Sequence, residues 1–576
     1  AHSLLLFERR VSRGSLSVVW WRLRAELEEG SPSAMGSCSA VTNPVIPGFY
    51  PDPSVCRRGD DDYYLVTSTF EYFPGLPIFH SRDLVRWRKV GHALDRWEQL
   101  DGYDFGSMPD SGGIYAPTIR YHDTLDQFFI VTTIVSSLGP PAYTTQHIVL
   151  TANNPAGPWS APRRIPDAPG IDPSLFIDAS DDRVWFCANQ MPAAGERHPG
   201  HREIWLQEFN VQTLELFGPR YTIWDGASKT ALACEAPHIY AKDGSFYLVT
   251  AEGGTGLEHA VVVARSDKVT GPYLGHPGNP FLTHRHLGKD YPITGTGHAD
   301  WIEASNGEWW MVLLAMRPYG GYYYNLGRET FLARVLWDGQ VGEGWPRVLG
   351  GTVPVGEPPC QEDDPVGASN LEWNTVRVPD PKTCPAGSFW CMDEKTKCMR
   401  LNLRPETLYD ATGCPSYVAR RQCHMSFVVT TGLRFSGGEG ECAGLALRQS
   451  SAFNVVLVAT REGDGYSAAV WTCERPQRNA PAQRKQVARW LAVDGPSCHL
   501  LLQIRAVGQD YTLSWRSADE PEGSSRNVTV DGRILSTTMA GGFVGTYVGL
   551  YASSNGQPSQ TVAEFPSFHY TPAECR

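Results

Sequence analysis

Several things are scarce in this sequence, and each scarcity removes a class of function. No apolar run approaches the roughly 20 residues that a helix needs to cross a bilayer, so no membrane partner is expected. Basic residues are outnumbered, 50 against 62 acidic ones, for a net charge of −12. A nucleic-acid backbone requires clustered Lys and Arg, so it is not an expected partner. The 14 cysteines contain no paired C-x-x-C, which argues against zinc. Most are scattered like small buried hydrophobes. Cys384, Cys391, Cys398, Cys414 and Cys423 crowd into one segment, where free thiols and one or two local disulfides both remain open. Helical periodicity is almost missing.

A secretory leader is not recognisable either. Leu4 to Phe7 is too short for an apolar h-region, and Arg9, Arg10 and Arg13 follow it instead of preceding it. Residues 1–40 read as a tail, disordered or foreign to the natural protein, with Met35-Gly36 resembling a start. The missing leader points to an intracellular location. The cysteine cluster and the sequon Asn527-Val528-Thr529 point the other way.

What the chain does have is aromatic residues, glycine and repetition. Its 18 Trp, 24 Tyr and 57 Gly suit short strands and tight turns. The length of 576 residues calls for two domains. An apolar strand beginning at Tyr63 returns at Phe128, Val184, Phe246 and Trp309, at spacings of 65, 56, 62 and 63 residues. Ahead of each lies a short punctuated element: Asp52-Pro53-Ser54, Tyr115-Ala116-Pro117-Thr118, Asp172-Pro173-Ser174, Glu235-Ala236-Pro237-His238 and His298-Ala299-Asp300. Five copies of a β unit predict a five-bladed β-propeller over 41–350. The period exceeds the roughly 40 to 50 residues of WD and kelch repeats, whose signatures are absent. First strands line a propeller's channel, so Asp52, Asp172, Glu235 and His298 would converge on one axial pocket. A lone Asp-Pro is more often just a turn; three acids in register favour function.

Residues 351–372, rich in Gly and Pro, read as a linker. Beyond them, 373–576 is again all-β, and alternating strands such as Ser426 to Thr430, Asn454 to Val458 and Tyr511 to Trp515 predict a β-sandwich.

The run Asn43 to Ser54, N-P-V-I-P-G-F-Y-P-D-P-S, resembles glycoside hydrolase family 43. So do Thr67 to Gly75, Ser81 to Trp87, Glu235 to His238, Gly297 to Asp300, Asn325 to Phe331 and, in the second domain, Gly541 to Gly545. The likeness is to β-xylosidases with α-L-arabinofuranosidase activity and covers nearly everything after residue 42. It implies Asp52 as general base, Asp172 as modulator of pKa and Glu235 as general acid, in an inverting hydrolysis. It also implies Arg328 as a sugar-binding cation, and Phe70 and Tyr115 as pocket walls. Tyr115 stands where the family usually has tryptophan. Phe543 would close the pocket from the sandwich side.

At His298 the resemblance implies a nearby hydrated divalent cation, often calcium, on the axis; the plainer reading is a histidine hydrogen-bonded to a catalytic carboxylate. No cofactor is otherwise required. Inversion needs one carboxylate to activate water and one carboxylic acid on the opposite sugar face, roughly 6.5–9.5 Å apart. The expected activity is exo-hydrolysis of xylo-oligosaccharides, with a dedicated α-L-arabinofuranosidase acting on arabinoxylan as runner-up. The contrasting class is a non-catalytic carbohydrate-binding propeller, disfavoured because all three acids stand at their motif positions. A homo-oligomer is compatible with the sequence.

Overall fold

The computed structural model describes residues 41–138, 144–228, 230–337, 344–355, 370–379, 388–393, 395–477 and 480–573. The tail 1–40 and most of the 351–372 linker lie outside them, as does Cys384.

Five four-stranded antiparallel sheets follow one another between Ser54 and Val348. Each recurrent apolar run forms the second strand of its sheet: Asp62–Val66, Gln127–Ser137, Arg183–Gln190, Ser245–Glu252 and Trp309–Met316. These strands are covered on both faces by the neighbouring sheets, which explains continuous hydrophobicity in place of alternation. Phe128 to Val135, for example, is buried without interruption. The ring is closed by residues ahead of the first blade. Ile46 forms a two-way bridge with Thr330 of the fifth blade. Beside it the Asn43 amide donates to the Leu332 carbonyl (2.9 Å) and accepts from the Leu332 N–H (2.8 Å).

The first strands carry a common backbone device. Asp52, Ala116, Asp172, Ala236 and His298 all have left-handed φ, between 35° and 56°. Four of them precede proline, which disfavours the right-handed helical region for the residue before it. A non-glycine residue in this region costs on the order of 1–2 kcal/mol. The same feature in all five blades marks the rim where the chain turns its side chains inward. In blades two, four and five the turn coincides with a β-bulge, at Tyr115/Thr118, Glu235/His238 and Gly297/Asp300.

The second domain packs two sheets around a core that includes Phe427, Leu445, Leu457, Leu502, Trp515 and Leu550. The strands anticipated there lie within Ser426–Phe435, Phe453–Glu462 and Asp510–Ser517. One sheet does not begin in this domain. Tyr72–Phe73, from the first blade's loop, pairs with Asn374–Val376 and forms its edge. Cys391, Cys398, Cys414 and Cys423 carry free thiols.

A buried charge cluster holds the two domains together. Arg448 is 1% exposed and bonds the Tyr72 hydroxyl (3.0 Å) and the Asp110 carboxylate, with Glu71 at 3.5 Å. Ser451 Oγ donates to Asp110 (2.5 Å), and Arg377 Nη2 lies 3.4 Å from it. Removing one partner of a buried ion pair leaves an uncompensated charge, at a loss of roughly 3–5 kcal/mol. Arg448→Ala is therefore expected to lower the midpoint of thermal unfolding by several degrees, and calorimetry of the full chain checks it.

Candidate active site

One small cavity, about 60 Å³, opens on the propeller axis and is lined by Asp52, Phe70, Tyr115, Asp172, Glu235, His298, Arg328 and Phe543. Every site residue expected from the sequence is thus brought to one place. Three more line it: Ala116, Ile171 and Thr255. Ala116 and Ile171 adjoin motif residues, while Thr255 sits in Gly253-Gly254-Thr255-Gly256, a glycine signal that sequence reading passes over. A larger cleft of about 520 Å³ beside Trp97, Arg404 and Glu406 includes none of these side chains.

Asp52 is buried and fully engaged. Ser68 Oγ donates to its Oδ2 (2.6 Å), Arg328 Nη1 donates to its Oδ1 (2.9 Å), and His298 Nδ1 stands 3.5 Å away. Burial alone would raise its pKa, but Arg328, His298 and the Ser68 hydroxyl overrule it and hold the carboxyl below its ordinary value. Asp52 is an anion across the neutral range.

Glu235 is built the opposite way. It makes no hydrogen bond or ion pair to the described residues that would favour its charged form, and burial followed by repulsion from Asp52 pushes its pKa up to about 7. Asp172, which accepts a hydrogen bond from the Ala236 N–H (3.2 Å), is pushed well above its ordinary value by burial, Glu235 and Asp52. The Asp52 charge raises both, and Asp172 and Glu235 repel each other as a coupled pair. Asp172 and Glu235 titrate together, and the pair keeps a proton that neither carboxyl would hold in water.

The walls are aromatic. Phe70 packs on Tyr115 with ring centroids 4.6 Å apart, and Phe543 stacks on Phe70 at 5.8 Å and 25°. The Tyr115 hydroxyl turns away from the cavity to the Ser111 carbonyl, so its ring alone forms wall. Phe543 arrives from the sandwich domain and is held by the propeller: its N–H donates to Ser111 Oγ (2.9 Å) and its carbonyl accepts from Arg328 Nη2 (3.4 Å). Gly542 must be glycine here, since a Cβ would stand 2.4 Å from Ser111 Oγ and φ is +72°. The Arg328 guanidinium lies over both rings, 5.4 Å from Phe70 and 5.7 Å from Phe543, and its buried Nε has no partner.

His298 is buried, and burial, ahead of the opposing pull of Asp52, keeps its pKa below the usual value, so it is neutral at pH 7. Calcium takes six to eight oxygen ligands. The nearest acid to His298 is Asp52, whose oxygens already accept from Arg328 and Ser68. Among the described residues, no three His, Cys, Asp or Glu side chains gather to hold a metal. This donor set does not fit a calcium ion ligated directly by the protein; it fits a neutral imidazole beside Asp52.

Comparison with known proteins agrees with this geometry. Residues 41–346 match the model of glycosyl hydrolases family 43, and 367–571 match that of the beta xylosidase C-terminal concanavalin A-like domain. A xylosidase/arabinosidase of Butyrivibrio fibrisolvens is 38% identical, over 92% of this chain and 98% of its own. A non-reducing end alpha-L-arabinofuranosidase of Bacteroides ovatus is 35% identical, over 92% and 94% respectively. The crystal structure of a xylan beta-1,4-xylosidase from Bacillus halodurans superposes with a TM-score of 0.80 at 32% identity, covering 92% of this chain and all of that one. With the family model matching more than half of its length and relatives aligned end to end, the chain belongs to glycosyl hydrolase family 43.

Proposed function

We propose that the protein is an inverting exo-glycosidase that releases xylose from the non-reducing end of β-1,4-xylo-oligosaccharides and also cleaves α-L-arabinofuranosides. The observation that carries this reading is the opposed state of two acids in one cavity, Asp52 ionised and Glu235 protonated near neutrality. Two carboxyls driven apart in pKa by their surroundings are what acid and base roles require. The names of the relatives supply the sugar class; the cavity supplies the mode of attack. A small chamber capped by Phe543 suits attack at the end of a chain better than attack along it.

In this mechanism Asp52 takes a proton from the water that attacks the anomeric carbon, and Glu235 gives its proton to the departing glycosidic oxygen. Arg328 anchors Asp52 as an anion, and its unpaired Nε is a donor for a ring hydroxyl. Phe70, Tyr115 and Phe543 exclude water from the sugar faces. His298 acts as the neutral neighbour of Asp52, and the site as built calls for no metal ligated directly by the protein. Activity measured with and without a chelator is expected to be the same.

The pH dependence follows from the signs. Glu235 must be protonated, so activity falls as pH rises through about 7. Asp52 must be ionised, and its lowered pKa keeps it so until pH drops below the usual carboxylate value of about 4. Above pH 7 the Asp172 and Glu235 pair still retains one proton, part of the time on Glu235. In Asp172→Asn that reserve is gone, and activity is expected to fall more steeply on the alkaline side. A pH–rate profile identical to wild type would remove Asp172 from the mechanism.

Paired assays on nitrophenyl β-D-xyloside and α-L-arabinofuranoside test the reading directly. Glu235→Ala is expected to lose about 10²- to 10⁴-fold on both. Loss on the arabinoside with no xyloside turnover in wild type would make the protein a dedicated α-L-arabinofuranosidase.

A further inference from the structure

Below the cavity the propeller axis is filled by one ion pair, Arg120 with Asp300, whose bonds reach all five first strands. Asp300 is fully buried and accepts from Ser54 Oγ (2.6 Å), the Val55 N–H (3.0 Å) and the Tyr240 hydroxyl (2.5 Å). Arg120 meets it through both terminal nitrogens, at 2.8 and 3.0 Å. The same guanidinium donates from Nε to the Leu175 carbonyl (3.1 Å), from Nη2 to His238 Nδ1 (3.0 Å), and from Nη1 to Ser54 Oγ (3.2 Å). Ser174 Oγ donates to the same His238 nitrogen at 2.9 Å. His238 is the acceptor in this arrangement, and burial keeps it neutral, with its pKa lowered to about 3.

The places where this pair grips the strands are not random. Ser54 follows Asp52 by two residues, Leu175 follows Asp172 by three, His238 follows Glu235 by three and Asp300 follows His298 by two. Arg120 itself lies on the strand that presents Tyr115. Each strand is thus held one short step below the side chain it offers to the cavity. Stability alone does not account for the pair. Burying two charges is offset by their desolvation, and a well-packed apolar pair of similar volume often does as well or better. What an apolar pair lacks is direction. A guanidinium is a rigid planar fork with donors at fixed angles, and here it sets five backbones against one another.

We propose that the Arg120–Asp300 pair is a positioning unit for the active site, fixing the gap and angle between Asp52, Asp172 and Glu235 without touching the substrate. The proposal rests on the acid and base roles given above. A shift of 1 Å between reacting groups lowers rate by about 10²-fold, so loosening the fork acts on turnover before it acts on binding.

The test compares three variants, Arg120→Lys, the double replacement Arg120→Met/Asp300→Leu, and Glu235→Gln, on xylobiose and on 2,4-dinitrophenyl β-D-xyloside. The dinitrophenolate leaves without a proton, so it reports little of the acid's position. Arg120→Lys keeps the charge but not the fork, and is expected to lower kcat on xylobiose about 10- to 100-fold, with KM within twofold and a clearly smaller loss on the dinitrophenyl substrate. A reduced folded fraction would lower both substrates equally. The double replacement is the second arm. It leaves the Val55 N–H and the Ser54 and Tyr240 hydroxyls without these partners, so it is expected to melt below wild type. Where folded, it is expected to turn over xylobiose poorly, with a smaller loss on the dinitrophenyl substrate. Wild-type xylobiose turnover in the double replacement, or equal losses on both substrates in either Arg120 variant, would overturn the proposal. Wild-type turnover of xylobiose by Glu235→Gln would instead overturn the acid assignment, whatever the Arg120 variants do.

Discussion

Five strands from separate blades must end within a few ångströms of one another around an axis and still present chemically different side chains to the same small space. The left-handed residue at the entrance of every first strand meets that demand, at Asp52, Ala116, Asp172, Ala236 and His298. It turns the chain sharply, and small offsets decide which side chain faces the cavity. In blades one, three and five the turned residue itself, Asp52, Asp172 or His298, lines the cavity. In blade two Tyr115, the residue before it, joins Ala116 at the wall, and in blade four Glu235, the residue before it, lines the wall alone. One backbone solution used five times therefore yields three differently placed carboxyls, an aromatic wall and an imidazole.

Electrostatics then separates residues that begin alike. Asp52 and Glu235 are both carboxylates in a desolvated chamber. Asp52 has a guanidinium and a hydroxyl bonded to it that stabilise its charge, while Glu235 is buried near an anion and bonded to no cation, so the more distant pull of Arg328 and Arg202 does not offset burial. Arg328 is the hinge of the asymmetry, since it pairs with Asp52 and at the same time holds the carbonyl of Phe543. The cap and Asp52 are in this way ordered by a single side chain.

Much of this was legible in the sequence, for identifiable reasons. The second strand of each blade is buried on both faces, so it reads as an uninterrupted apolar run, and five such runs gave the repeat. Asp-Pro and Glu-Ala-Pro are conspicuous because proline keeps the residue before it out of the right-handed helical region, and they recur at the same place in successive repeats. Arg120 carried no such mark. It sits in a strand among apolar neighbours, and its partners Ser54, Leu175, His238 and Asp300 are 55 to 180 residues away. Nor did Tyr72–Phe73 show that it would pair outside its own blade. Contacts fixed only when distant strands assemble leave no local pattern.

The edge formed by Tyr72–Phe73 has a consequence for how this architecture can be taken apart. Since that strand is covalently part of the first blade yet hydrogen-bonded into the second domain's sheet, the two units are interwoven and do not behave as beads on a string. Cutting at the linker would expose an unpaired β edge on the sandwich and strand a segment of the blade that has no partner of its own. The C-terminal domain is therefore not built as a portable appendage: its sheet is completed by a strand of the first blade.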